Sequence, residues 1–270
     1  MKTVLSIWSA YYYNLSPEDA ALEFAKNGLE AMELSDEHGY ELLNRGEDVV
    51  ATGKAFAAFL REHNFSVPQG HLWLKAKICS DPEAVRTLCR WIDLYEAIGI
   101  RNMVLHCDPL INEDISIEER YARNAESLRK IADHVKGKDV YICLENLRSF
   151  ISNADQILSI IESVGSERLG ICLDTGHLNI ADKDQRAFIL RAGKHLRALH
   201  IADNEGERDQ HMMPFGRGNV NFLEVVRALR EVDYEGLFNL EIPGENHAPM
   251  EIRAAKIHYI RECYDYLMRE

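Results

Sequence analysis

Residues 169–177 read LGICLDTGH, an apolar run that closes on Asp174 and passes into a turn. A short apolar run bounded by turn residues predicts a buried strand. A carboxylate at its last position cannot remain in the core without a partner. The pattern recurs three times: Glu145 closes the run in VYICLEN (140–146), His200 in LRALHIAD (196–203) and Glu241 in LFNLEIPG (237–244). The C-terminal ends of parallel strands are where α/β barrels place their chemistry. Glu145, Asp174, His200 and Glu241 are therefore expected to share one metal site assembled from several strands. For any one of them, capping the next helix or pairing with a lysine is the plain alternative. Repetition at four strand ends favours the shared site.

Working outward, strand-like runs fall near 2–8, 29–34, 65–71, 100–106, 139–145, 169–174, 196–202 and 236–242. Helix-period segments alternate with them at 17–27, 53–64, 82–98, 117–135, 154–164, 185–194, 222–232 and 249–268. Start signals support the helices: Ser16 before Pro17, Asp81 before Pro82, and Ser116 with Glu119 as a capping box. Exit glycines follow at Gly28, Gly99, Gly137 and Gly165. Eight βα units without a glycine-rich dinucleotide fingerprint predict an α/β fold, a closed (β/α)8 TIM barrel occupying residues 1–270 as one domain. The longest irregular stretch, 203–219, follows the seventh strand, where long loops line or cover a site.

A formal charge of −13 argues against broad binding to the phosphate backbone, so nucleic acid is not an expected partner. The start lacks a long apolar region and a small-residue cleavage site, and no run approaches the ~18 residues of a membrane span. A soluble, cytoplasmic protein without a membrane partner is expected. The six cysteines lie far apart with no CxxC pair and read as reduced thiols. Cys143 and Cys172 each sit two residues before a proposed ligand, so strand alternation points them into the barrel as small core fillers, with thiolate ligation the lesser alternative.

Mixed carboxylate and imidazole donors suit a catalytic divalent ion (Mn, Zn, Co, Fe or Mg) better than calcium or a closed structural zinc. Such an ion polarises a carbonyl or enediolate oxygen, and Glu145 and Glu241 on opposite sides of the barrel mouth form an acid and base pair. Further candidates extend the pattern. His71 and His106 end the third and fourth strands, His177 follows Asp174 by three, and Asp209 and His211 lie two apart in the long loop. Each has an alternative as a hydrogen-bonding neighbour of the ligands or as a substrate contact, and for His71 and His106 that alternative stands level with direct ligation.

Together LENL, CLDTGH, HIADNEGERDQHMMPFGRGNVNF and NLEIPGE resemble the xylose isomerase-like barrel superfamily, specifically its sugar and sugar-phosphate isomerases and epimerases. The resemblance implies metal ligation by Glu145, Asp174, His200 and Glu241, and proton movement by Glu145 and Glu241 through a metal-stabilised enediolate. It also implies substrate contacts from His177 and Arg217, a small carbohydrate, sugar phosphate or polyol ketone as substrate, and a homo-oligomer. Trp8 and Trp73 are placed to stack on a sugar face or to pack at the barrel rim. The chain departs from many ketose 3-epimerases at Ile151, where they carry a second glutamate. Two alternatives stand beside this reading. The endonuclease IV type of multinuclear zinc phosphoesterase has its ligand pattern traceable here through His71, His106, Glu145, Asp174, His177, His200, Asp209, His211 and Glu241. The other is a metal-containing protein that binds sugar without turnover.

Overall fold

The computed structural model describes residues 2–270. Eight parallel strands alternate with helices: β1 (Val4–Ile7), α1 (Pro17–Lys26), β2 (Ala31–Leu34), α2 (Asp36–Leu43), α3 (Val49–Glu62), β3 (Ser66–His71), α4 (Ala84–Ile98) and β4 (Asn102–Leu105) come first. Then follow α5 (Ile117–His134), β5 (Tyr141–Glu145), α6 (Ala154–Val164), β6 (Leu169–Asp174), α7 (Thr175–Ala181), α8 (Gln185–Ala192), β7 (Leu196–His200), α9 (Phe222–Glu231), β8 (Leu237–Leu240) and α10 (Met250–Arg269). The result is a curled parallel sheet of the α/β barrel type. Strands β2 to β7 pair in sequence order, and β1 pairs with β8. Single parallel bridges, Trp8 with Glu33 and Ile201 with Leu240, join the two ladders. Among the described residues no helix is long and apolar enough to cross a membrane.

Local chemistry sets the helix bounds. Ser16 and Ser116 accept hydrogen bonds from Asp19 N and Glu119 N, and Asn153 accepts from Gln156 N. Gly99 and Gly165 end α4 and α6 in the left-handed conformation at φ 103° and 72°. Helix α3 begins four residues before the glycine expected to open it, because Asp48 accepts from Ala51 N. Gly53 is interior instead, and close packing on α4 requires it: a Cβ there would lie 2.6 Å from Leu94 O. Helix α4 starts at Ala84 rather than Pro82, the Asp81 carboxylate capping a turn through Glu83 N. Two short helices at the strand ends, α2 and α7, were not anticipated.

Inside the barrel, Val104, Cys143, Cys172 and Ala198 form a fully buried layer. Burial pushes the Cys143 thiol up to about 12 and the Cys172 thiol well above its ordinary range, so both act as neutral core fillers. Two residues further along each strand, on the same face, stand His106, Glu145, Asp174 and His200. The apolar layer is thus the floor of the site. After β8 the chain passes so close to the first βα turn that a Cβ on Gly244 would meet Tyr11 O at 1.8 Å and Tyr11 C at 2.7 Å. Gly244→Ala is expected to cost about 1–3 kcal/mol through forced backbone displacement. For a chain of this size that lowers the melting temperature by about 3–10 °C. An unchanged calorimetric melt would show that the loop carrying Glu241 yields freely.

Candidate metal centre

Glu145 and Asp174 end β5 and β6, His200 ends β7, and Glu241 follows β8. One ligand atom from each of the four lies within 4.8 Å of the others. Parallel register explains the convergence, since Asp174 pairs with His200 and Glu145 with Cys172. Three buried polar atoms here have no hydrogen-bond partner: Asp174 Oδ2, His200 Nδ1 and Glu241 Oε2. Unpaired buried polar atoms are rare and costly, and with Glu145 these residues form a group able to hold a metal ion. Asp174 caps α7 with one oxygen, Oδ1, which accepts from His177 N at 2.6 Å, and leaves the other, Oδ2, without a partner.

The imidazole of His200 is fixed from behind by Glu33, a residue the sequence analysis did not single out. Glu33 Oε1 lies 3.0 Å from His200 Nε2. Glu33 Oε2 accepts from Asn239 Nδ2, and Asn239 Oδ1 accepts from Ser6 Oγ at 2.9 Å. His200 Nδ1 lies 3.3 Å from Glu145 Oε2 and 3.2 Å from Glu241 Oε2, and although burial acts against it, Cys172, Glu33 and these two carboxylates raise the imidazole's proton affinity well above its ordinary range. Glu33 is as buried as Glu145 and His200. It is the penultimate residue of the strand AMEL, one position before the place its counterparts hold.

Electrostatics follow from crowding. Burial pushes the Asp174 carboxyl up to about 7, with Glu145 and Glu241 adding to the rise against the opposing pull of His177. Burial acts upward on Glu145 too, but the imidazoles of His200 and His106 outweigh it and hold the carboxylate well below its usual range. Glu241 is drawn down to about 2 because His200 overcomes its desolvation. His211 rises to about 10 despite burial, through Asp209, Glu241 and Asp174.

The other candidates gather around this centre. His106 Nε2 and His71 Nε2 approach Glu145 Oε2 at 3.0 and 3.5 Å, and these three residues form a second group able to hold an ion. Asp209 bridges two imidazoles, at 3.1 Å from His177 Nε2 and 3.1 Å from His211 Nε2. Asn146 ties the strand ends together, accepting from Asp174 N at 2.7 Å through Oδ1. The long loop is carried back over the mouth by paired backbone hydrogen bonds between Asp203 and Met212. Trp8 lines the resulting cavity of 130 Å³ and donates from Nε1 to Ile242 O. Trp73 lines a neighbouring groove rather than this cavity. Arg217 stands apart, 73% exposed and paired with Glu205 at 3.1 Å. Its guanidinium lies outside the cavity because the FGRG turn folds onto the loop surface. His38 lies in α2 with its ring between Ser9 Oγ and Leu15 O.

Known proteins resemble the chain in the same terms. It is 26% identical over 199 residues to a D-psicose 3-epimerase of Enterocloster bolteae, covering 68% of this chain and 64% of that one. It is 31% identical over 137 residues to an L-ribulose 3-epimerase of Mesorhizobium japonicum, covering 47% and 44%. The chain thus spans less than two thirds of the length of these curated relatives. A crystal structure of D-psicose 3-epimerase in the presence of D-fructose superposes with a TM-score of 0.81 over 98% of this chain and 99% of that chain, at 17% identity. That likeness is one of fold. A model of the xylose isomerase-like TIM barrel family matches residues 22–263, and the chain belongs to that family.

Proposed function

We propose that the chain is a divalent-metal-dependent sugar epimerase that inverts a carbon next to a ketose carbonyl by proton transfer between Glu145 and Glu241. The observation that carries this reading is the set of three unpaired buried atoms, Asp174 Oδ2, His200 Nδ1 and Glu241 Oε2, converging with Glu145. These four residues fit a Mn, Zn, Co, Fe or Mg ion, which when bound supplies Lewis acidity that lowers the cost of removing a proton beside the carbonyl. One glutamate, as carboxylate, takes that proton and leaves its electron pair on the carbon skeleton. The other receives a proton from the imidazolium groups that neighbour it and delivers it to the opposite face, so the substrate carbon is inverted. His106 and His71 touch Glu145 and offer it a route to exchange its proton with solvent. His177 and Trp8 are assigned to substrate contact, and Asp209 holds His177 in place.

The two relatives named above support a ketose substrate, and the lining of the cavity speaks against the phosphoesterase alternative. Among the described residues no lysine or arginine lines the cavity to receive a phosphate. The same reading takes the eight strands as one closed (β/α)8 barrel forming a single domain, with the bridges at Trp8 and Ile201 as its seams. The test is proton NMR of free ketohexoses and ketopentoses in D₂O with the metal-loaded protein. Loss of the proton on the carbon next to the carbonyl, with appearance of the epimer, is expected. Saturable binding without exchange would instead leave a sugar-binding protein.

Glu33→Gln checks the support behind His200. Losing the carboxylate that orients a metal-binding imidazole is expected to weaken metal affinity by about 10–100-fold. Competition with a chromogenic chelator measures this without reference to activity, and an unaltered affinity removes Glu33 from the site's machinery.

A further inference from the structure

The metal-facing cavity does not end at its own walls. Asp36 and Leu74 line both it and a groove of 720 Å³ beside it. A cavity of 130 Å³ is far below the roughly 300–1,000 Å³ of ordinary ligand pockets, whereas the groove lies within that range. One wall is α2, and the other is the segment after β3 that carries Trp73 and Leu74. Asp36 Oδ2 accepts from Leu74 N at 3.2 Å and so ties the walls together at the junction. The α2 wall is firmly held. His38 joins it to Ser9 Oγ at 2.7 Å and to Leu15 O at 3.0 Å, and Gly39 sits so tightly on Trp91 and Tyr95 that a Cβ would collide with both.

The groove's chemistry is specific. Tyr13 and Tyr40, 59% and 55% exposed, line it together with Trp73. Exposed aromatic faces next to carboxylates suit a sugar ring, whose C–H face stacks while its hydroxyls donate to Asp36, Glu37 and Glu41. Charge removes the obvious competitor. Lys75 is the one lysine or arginine lining the groove among the described residues, against those three carboxylates, so a phosphate is repelled.

We infer that this groove is a subsite for a second, uncharged sugar unit, making the substrate a ketose that carries a glycosyl substituent rather than a free or phosphorylated ketose. This rests on the epimerase reading for the first unit. The substituent is attached through a hydroxyl remote from the carbonyl, because the carbonyl and its neighbouring carbon must reach Glu145 and Glu241.

Calorimetric titration of the Mn²⁺-loaded protein with a glucosyl-ketohexose, the parent free ketohexose and its phosphate tests the proposal, alongside the double variant Tyr13→Ala, Tyr40→Ala. The disaccharide is expected to bind about tenfold more tightly than the free ketose, with the phosphate weakest, a ratio within reach of two aromatic contacts. The double variant, checked by its thermal melt, is expected to cut that preference to within about threefold. Equal affinities for the disaccharide and free ketose in the wild type, or an undiminished preference in the variant, overturns the subsite. Solvent exchange measured on the same sugars keeps the two readings apart. No exchange on any sugar with the preference intact removes the epimerase reading alone, and exchange on the free ketose without any preference removes the subsite alone.

Discussion

Glu241→Gln is expected to lower the rate of solvent-deuterium incorporation into a ketose by about 10²–10⁴-fold, the range contributed by a positioned acid or base. The same loss is expected for Glu145→Gln. Glutamine keeps the shape and one oxygen donor of each side chain but can neither take nor hold the proton. The two variants differ in their collateral effects. Glu145 touches His106, His71, His177 and His200, and its carboxylate is what counterbalances that imidazole cluster. Glu145→Gln should therefore also lower the proton affinity of His71, which its carboxylate helps raise to about 9 despite burial. Glu241 faces His200 Nδ1 across the centre and has fewer partners, so its replacement is the cleaner test of proton transfer. Metal content is measured in both variants by elemental analysis. A variant that retains its ion and loses exchange supports the two-glutamate mechanism. Wild-type exchange in both, with the ion retained, would sink it.

The barrel was legible because its strands are apolar runs and its site residues stand where those runs stop. Strand β6 and helix α6 were bounded to the residue, since LGICLD and the Asn153 to Gly165 interval carry unambiguous signals at both ends. Helix α3 was misread at its start because Gly53 looks like a boundary in sequence, while only its packing against Leu94 O makes it an interior residue. Helices α2 and α7 were missed for a different reason: Ser35 and Asp174 cap them directly from a strand end, leaving no linker to announce them. Within the site, Glu33 was overlooked because β2 is a four-residue strand preceded by another glutamate, which breaks the apolar run that identified its counterparts. Arg217 lies in a glycine-flanked turn beside Glu205 and is not among the residues lining the cavity.

Chelation of the ion is expected to abolish exchange and to lower the melting temperature by about 5–10 °C at pH 7.5, for an ion present at about 100-fold over its dissociation constant. The size of that gap depends on pH through Asp174. Burial and two neighbouring carboxylates raise its carboxyl from 3.8 to about 7. Between those values the metal-free folded chain keeps a proton that the unfolded chain has lost. Its stability therefore falls as pH rises from about 4 to about 7 and changes no further through this group above that. The bound ion displaces the proton, so binding releases it below pH 7 and affinity climbs with pH up to the same point. These are one linkage seen from two sides, and it shrinks the gap on acidification. The melting difference between metal-loaded and chelated protein should be clearly smaller at pH 5 than at pH 7.5, and calorimetry in two buffers of different ionisation enthalpy should detect more proton release at the lower pH. A gap that stays constant or widens at pH 5 would mean that Asp174 does not face the ion. The free oxygen opposite His200 would then need another partner.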